Sequence, residues 1–357
     1  MHLKKTFFCL VLGLFLQPQE TQACSRITFE TPKGIYTIRS LDWQDKLGGI
    51  AVIHPKNIER KTRSIKNSHY QNPATWKTKY TTLAIEEPNL FGYANSEAIN
   101  TEGLSVSVLY LEDSFPFIKK HQDTQKPAIN FKDIPSFIAE NFKTVDEFLQ
   151  AYEKGEFIEA WQDGINGYQH GLHYSVQDKY GKIALIQLGE NGKTVIHKGT
   201  AKSDLRVMTN SPLQEEHRKY IAKFDLTSPQ TNTKIPNSIS SQARMLRGLY
   251  HTERLSFPPN ATQKQIEGKI QALFDAGNLV PQGIIDEESG NCYPTWTEYM
   301  YNHNTGIFKF RNMETFSEIS INIKELEKYT TPMQANLIEQ TNQGLAKAHF
   351  TPYIEHQ

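Results

Sequence analysis

Ser25 to Glu30 and Ile35 to Leu41 read as strands on either side of the turn Thr31-Pro32-Lys33-Gly34, and this hairpin constrains the chain more than any other segment. A loop centred between Pro32 and Lys33 pairs Arg26 with Arg39 and Cys24 with Leu41. Directly opposed residues share a face, so Cys24 and Arg39 become diagonal neighbours, roughly 7–8 Å apart at Cα and within reach of a guanidinium. Asp42 has the opposite parity to Arg39. For both to serve one site, the second strand must end or bulge near Ser40.

What precedes the hairpin gives Cys24 its meaning. Lys4-Lys5, the apolar run Phe7 to Leu16 and the small-residue site Thr21-Gln22-Ala23 follow the order of a secretory signal peptide over residues 1–23. The run is too short to cross a bilayer, and no later segment reads as a membrane span. The expectation is an exported chain, periplasmic or secreted, with one domain over residues 24–357. Removing the leader would leave Cys24 first, with a thiol and a free α-amine on one residue: a nucleophile with its base attached.

Composition narrows the partners. Lysine plus arginine balance aspartate plus glutamate at 39 each, so no global field points to nucleic acid, and a small molecule is the expected partner. With 38% hydrophobic and 11% aromatic residues the chain supports a packed core. Cys9 would leave with the leader, so Cys24 and Cys292 remain. In an oxidising compartment they could form a structural disulfide, which would abolish the nucleophile. Cys24 could also be the lipidated first residue of an exported binding lipoprotein, although Thr21 stands three positions before it where a leucine-like residue is expected.

Further along, residues 44–80 read as surface loop with short strands, their basic residues as a solvated face. Leu104 to Leu111 reads as a strand covered on both sides, with Tyr110 at its end. Helical spacing follows over Asp133 to Phe142, and Thr144 with Glu147 forms a capping-box pattern for the next helix. Strands return over 173–178, 183–188 and 194–197. Leu205 to Pro212 is a strand ended by Asn210 and a proline, where asparagine is most simply a turn former. Helices read over 213–221, 241–250 and 262–274, then strands at 293–301, 307–311 and 318–321. Antiparallel blocks between helix pairs mean α+β, with helices on the outer faces.

A phosphate loop, paired zinc-ligand cysteines, His-Glu-x-x-His and Gly-x-Ser-x-Gly are absent from the sequence. His170 and His173 sit in a strand context without clustered carboxylates. No metal and no cofactor is expected.

Five fragments then matter together: Cys24-Ser25-Arg26, Arg39-Ser40-Leu41-Asp42-Trp43, Asn100-Thr101-Glu102-Gly103-Leu104, Val207-Met208-Thr209-Asn210-Ser211-Pro212 and Ser240-Ser241-Gln242-Ala243-Arg244. In this order and spacing the chain resembles the choloylglycine hydrolase family, the penicillin V acylases and conjugated bile salt hydrolases of the N-terminal-nucleophile superfamily. The resemblance implies a four-layer αββα sandwich of antiparallel sheets that hydrolyses a non-peptide amide. It implies that Cys24 is the nucleophile and its α-amine the base, with Asp42 holding the amine and Arg39 and Arg244 flanking the thiol. Adjacent arginine charge is expected to favour the thiolate. The side-chain amide of Asn210 and the backbone N–H of Tyr110 would form the oxyanion hole.

Tyr110 stands where bile salt hydrolases carry asparagine. With Trp43 it suggests an aromatic pocket for a phenoxyacetyl or fatty acyl group, and a likeness to the Gram-negative branch associated with penicillin V and acyl-homoserine lactones. A bile salt hydrolase is the alternative. The family's tetramers imply a homo-oligomer, yet the segment from Asn210 to Arg244 is shorter than the insertion that helps assemble them. Met245 and Ser25 depart from the usual aromatic and threonine.

Overall fold

The computed structural model describes residues 24–65, 70–88, 91–121, 125–161, 171–227, 234–287 and 290–355. The expected leader, residues 1–23, and His170 lie outside the described residues.

β1 (Arg26–Thr31) and β2 (Gly34–Asp42) form the expected hairpin, with Arg26 opposite Arg39 and Thr31 opposite Gly34. Gly34 has φ +107°, and a Cβ there would lie 2.4 Å from Asn304 Oδ1. That oxygen accepts the Ile35 N–H at 2.8 Å, so the turn closes only around a residue without a side chain.

β3 (Ile50–His54) follows, then a ribbon of β4 (Glu59–Lys61) with β5 (Thr75–Lys77). A meander runs through β6 (Thr82–Glu87), β7 (Ala94–Asn100) and β8 (Ser105–Tyr110). β9 (Ala128–Asn130) leads into α1 (Ile134–Asn141) and α2 (Val145–Glu153), and β10 (Ile158–Ala160) returns to pair with it. Thr144 caps α2 by accepting the Glu147 N–H, while the Glu147 carboxylate accepts the Lys143 N–H, one residue outside the expected box.

The second antiparallel run is β11 (Leu172–Gln177), β12 (Lys182–Leu188) and β13 (Thr194–Thr200). After β14 (Val207–Met208) come α3 (Gln214–Ile221), α4 (Ser241–Arg254) and α5 (Gln263–Gly277). The chain continues with β15 (Thr295–Asn302), β16 (Ile307–Asn312) and β17 (Glu318–Asn322). It closes with β18 (Met333–Asn336), α6 (Leu337–Asn342) and β19 (Thr351–Pro352).

Among the described residues two antiparallel sheets carry the fold, ordered β14-β1-β2-β15-β16-β17 and β13-β12-β11-β8-β7-β6-β3-β18-β19. Period-two alternation decides what each face covers. On the first sheet Ile27, Phe29, Tyr36 and Ile38 pack outward against Met245, Leu249, Ile270 and Phe274 of α4 and α5. On the second, Val106, Tyr174, Val176 and Ile186 pack outward against Ile138, Phe148 and Leu149 of α1 and α2. The inner faces meet through Ile53, Leu83 and Ile85 against Tyr299, Phe308 and Phe310 at one end, and through Leu41, Leu109 and Leu185 at the other. The layers therefore run helix, sheet, sheet, helix, as the family resemblance implies. β8 is covered on both sides as its alternation suggests, Leu109 inward and Val106 outward.

Residues 44–80 depart from the surface-loop expectation. Ile50–His54 is a strand inside the large sheet, between β6 and β18, and Ala51, Val52 and Ile53 are fully buried. Its apolar run is too short for periodicity to reveal between polar flanks. Nor are all its cations solvated. Arg63 bridges Glu86 and Asp133, and Arg60 reaches the buried Glu140. The return through β18, α6 and β19 is likewise not visible in the sequence pattern, because β18 has little apolar alternation of its own.

Phe274 is fully buried between α5 and the first sheet. Phe274→Ala should lower unfolding free energy by about 3–5 kcal/mol in chemical denaturation, and a loss under about 1 kcal/mol would contradict this packing.

Candidate active site

The hairpin pairing continues past β1, since the Ser40 N–H donates to Ser25 O at 2.9 Å. This carries Cys24, 6% exposed, to the end of the inter-sheet core beside Leu41. Its thiol lies 3.8 Å from Asp42 O and its backbone nitrogen donates to Asn210 Oδ1 at 2.6 Å. β2 keeps its own pairing to Asp42 without a bulge. The irregularity falls on the partner strand, where Asp42 faces Thr295 and Leu41 faces Thr297, leaving Trp296 as the extra residue.

Arg244 comes from the first turns of α4, whose start is capped by Ser240. Its Nη1 donates to Cys24 O at 2.6 Å and to Ser25 Oγ at 2.7 Å, its Nη2 to Asn210 Oδ1 at 3.0 Å and its Nε to Ile239 O at 2.9 Å. Asn278, just after α5, donates to both Ser25 Oγ and Arg244 O. Asn210 is thereby oriented at both ends, for its Nδ2 donates to Tyr110 O at 3.0 Å. One amide hydrogen is used in that contact and the group has two. His217 of α3 sits against the Asn210 carbonyl, with Nε2 3.0 Å from its oxygen.

Arg39 is fully buried, and its Nη1 serves Ser96 O, Val108 O and Glu97 Oε2 at 2.7, 3.2 and 3.1 Å. Glu97 also accepts from Ser107 and Tyr301, yet burial outweighs Arg39 and these donors and raises its pKa to about 7. Burial opposes the charge on Arg39, but Glu97, Cys24 and Tyr299 together outweigh it and hold the guanidinium protonated. Arg39 therefore acts on the thiol as a nearby charge.

Asp42 is fully buried, and the Thr295 and Ser40 hydroxyls face its carboxylate without making a well-formed hydrogen bond to either oxygen. Burial raises its pKa to about 7, against the pull of Arg244, the Thr295 and Ser40 hydroxyls and Arg39. Burial and then the charge of Asp42 also push the Cys24 thiol up to about 11, while Arg39 and Arg244 pull the other way. Both arginines favour the thiolate as expected, but burial and Asp42 outweigh them in this chain, where the Cys24 nitrogen is still a peptide nitrogen. Desolvation exceeds both arginines. Cys24 and Cys292 are free thiols, so the disulfide reading fails.

A pocket opens beside Cys24 and Asp42, lined by Trp43, Phe91, Leu109 and Tyr110. Trp43 meets Phe91 edge to face at 4.7 Å between centroids and Tyr110 at 6.5 Å. Trp296 Nε1 donates to Trp43 O at 3.0 Å and fixes that wall. The structure thus gathers Cys24, Arg39, Asp42, Trp43, Tyr110, Asn210 and Arg244, drawn from five separate stretches of chain, around one cleft. No group of metal-ligating side chains occurs among the described residues. Glu87 and Asn95 in the pocket wall were missed. The signal for the first was two glutamates ending an otherwise buried strand, Thr82-Leu83-Ala84-Ile85-Glu86-Glu87. His217 and Asn278 had no sequence signal beyond their residue type.

Residues 24–332 match the profile of the linear amide C–N hydrolases, choloylglycine hydrolase family. The chain is 26% identical over 341 residues to a penicillin V acylase of Pectobacterium atrosepticum, covering 91% of this chain and 87% of that one. Its fold is similar to that of penicillin V acylase from Agrobacterium tumefaciens, with a TM-score of 0.72 at 22% identity over 88% of this chain and 92% of the other. A mutant conjugated bile acid hydrolase from Clostridium perfringens superposes with a TM-score of 0.65 at 15% identity, covering 93% and 97%.

Two outcomes follow from this geometry. Glu97→Ala strands a buried guanidinium and should cost about 3–5 kcal/mol in denaturant unfolding, with a loss under about 1 kcal/mol contradicting the pairing. In a chain where a residue still precedes Cys24, alkylation of that thiol, followed by peptide mass spectrometry, should rise with pH around about 11. A midpoint near the ordinary thiol value of roughly 8.5 would contradict the desolvation described here.

Proposed function

The chain belongs to the choloylglycine hydrolase family of linear amide C–N hydrolases, and on that premise we propose that it cleaves acyl amides through Cys24 once residues 1–23 are removed. The observation that carries this reading is a buried carboxylate, Asp42, with no well-formed hydrogen bond on either oxygen and near enough to the Cys24 thiol for its charge to act on it. Two such buried oxygens are costly without a cation. Cleavage before Cys24 turns its peptide nitrogen into an amine, which supplies that cation when protonated. It also adds positive charge next to the thiol and lowers the thiol's pKa.

The chemistry then balances as follows. The amine takes the Sγ proton as sulfur attacks the substrate carbonyl carbon. The carbonyl oxygen becomes an oxyanion, received by the second Nδ2 hydrogen of Asn210 and the backbone N–H of Tyr110. The tetrahedral intermediate collapses, the C–N bond breaks, and the ammonium returns its proton to the leaving amine. Water, deprotonated by the freed α-amine, attacks the thioester, and collapse releases the carboxylic acid and restores the thiol. Arg244 positions Cys24 and Asn210 through the bonds it makes to both, and Arg39 contributes charge.

The apolar, aromatic lining favours an acyl group such as phenoxyacetyl or a fatty chain, and penicillin V or N-acyl-homoserine lactones are the substrates this reading favours. The likeness to penicillin V acylases over most of the chain supports the first. A leader over residues 1–23 places the mature enzyme in the periplasm or outside the cell. The structural likeness to a conjugated bile acid hydrolase supports bile salts as a second reading.

Mature protein beginning at Cys24 should release phenoxyacetate from penicillin V or the fatty acid from an acyl-homoserine lactone, and Cys24→Ala should lose all turnover while keeping its unfolding midpoint. Full activity in that variant, or bile salts as the fastest substrates, would overturn the nucleophile or the substrate assignment respectively. Asp42→Asn should lower kcat/KM by roughly 100-fold or more, as expected for losing the partner of the general base. A decrease of less than about threefold would show that the carboxylate does not hold the amine.

A further inference from the structure

The wall of the acyl pocket carries polar groups that the reaction above does not use. A bulge in the β6–β7 pairing falls between Ile85 and Glu86, which face Glu97 and Asn95, so Ser96 is the extra residue. The bulge interrupts the strict alternation of β7 and lets Asn95 and Ser96, consecutive residues, both line the pocket with Glu87. Asn95 is 3% exposed, and neither its Oδ1 nor its Nδ2 has a protein partner. Glu87 is 2% exposed, and only one of its oxygens is served, by Ser96 Oγ and Tyr299 Oη at 3.2 Å each. Its Oε2 is buried without a protein partner. Apart from Lys132, the rest of this wall is apolar, with Trp43, Leu47, Phe91, Phe131 and Leu172.

Unpartnered buried amide and carboxyl groups each cost folding free energy, and a pocket filled by hydrocarbon alone would leave them so. Burial raises the Glu87 pKa to about 8, so at neutral pH the group is largely a carboxylic acid that can donate as well as accept. Asn95 offers two donors and an acceptor. A ligand with one oxygen function on an otherwise apolar acyl chain matches such a wall.

We propose that Asn95 and Glu87 are specificity-determining residues that select acyl groups bearing a keto, hydroxyl or ether oxygen over plain alkyl acyl groups. The proposal rests on the reading of the cleft as an acyl-amide site and adds the class of acyl group it takes. A site built to hydrogen-bond a substituent discriminates strongly against the analogue lacking it, because its own polar groups are then buried unpaired.

The test uses the mature protein with N-dodecanoyl-, N-(3-hydroxydodecanoyl)- and N-(3-oxododecanoyl)-homoserine lactone, which share one leaving amine. Calorimetric binding of dodecanoic and 3-hydroxydodecanoic acid is measured in parallel. The wild-type protein should prefer the oxygenated member by about tenfold or more in kcat/KM and in Kd. Asn95→Leu, with folding checked by its unfolding midpoint, should bring both ratios to within about twofold of unity, while Glu87→Gln, which keeps hydrogen-bonding atoms, should preserve most of the preference. Equal affinities, binding of neither acid, or an Asn95→Leu ratio unchanged from wild type overturns the proposal. Absence of turnover on all three lactones with the binding preference intact sinks the amide-hydrolase substrate reading instead, and leaves the selectivity of the wall supported.

Discussion

Arg244 holds together parts of the chain that have no other reason to meet. One guanidinium, 1% exposed, bonds the carbonyl of Cys24, the hydroxyl of Ser25, the side-chain oxygen of Asn210 and the carbonyl of Ile239. A planar fork with five donors can do this, whereas an ammonium cannot reproduce its directions. Because α4 is pinned to the first sheet by Met245 and Leu249, the fork has a fixed origin, and the residues leading into β1 and Asn210, two residues beyond β14, are registered to it. The αββα packing thus matters to the site less for its volume than for bringing an outer helix within reach of the inter-sheet end of a strand.

Around that anchor the interior between the sheets is unusually charged. Arg39 is paired with Glu97, whereas Asp42 has no ion-pair partner and no well-formed hydrogen bond. The difference is functional in direction. Burial raises both carboxylates to about 7, but the ion pair fixes the geometry of Glu97 while Asp42 is left to be matched by a cation. With the Cys24 nitrogen in a peptide bond, burial and Asp42 hold the thiol up at about 11. On the reading proposed above, cleavage before Cys24 changes two things together, since the new ammonium satisfies Asp42 and removes the main electrostatic reason for the thiol to stay protonated. The uncleaved chain is then a poor nucleophile by the same physics that makes the cleaved one effective.

Much of this was legible in the sequence where local rules apply. The turn at Thr31 to Gly34 set the register of β1 and β2, and with it the placing of Arg26 opposite Arg39. The alternation in β8 gave its two faces, and helical spacing located α1 to α5. Asp42, Asn210 and Arg244 came from resemblance, since an aspartate at a strand end and an asparagine before Ser-Pro have ordinary explanations. What local rules could not give is tertiary. β3 was hidden in a polar stretch because a run of five residues carries too little period, and Arg63 looked solvated because Glu86 and Asp133 are distant in sequence. The sign of the Cys24 shift was missed for a similar reason. Arginines near a thiol can be inferred from pairing, but the depth of burial that outweighs them cannot.

The central claim is that Cys24, freed at its amino end, forms the covalent intermediate. Mixing mature protein with penicillin V, quenching in acid within the first turnover and sequencing the peptides by mass tests it most directly. The account predicts a phenoxyacetyl adduct on the sulfur of a peptide that begins at Cys24. Active protein that still carries Ala23 before Cys24, or an adduct on any other residue, would contradict it.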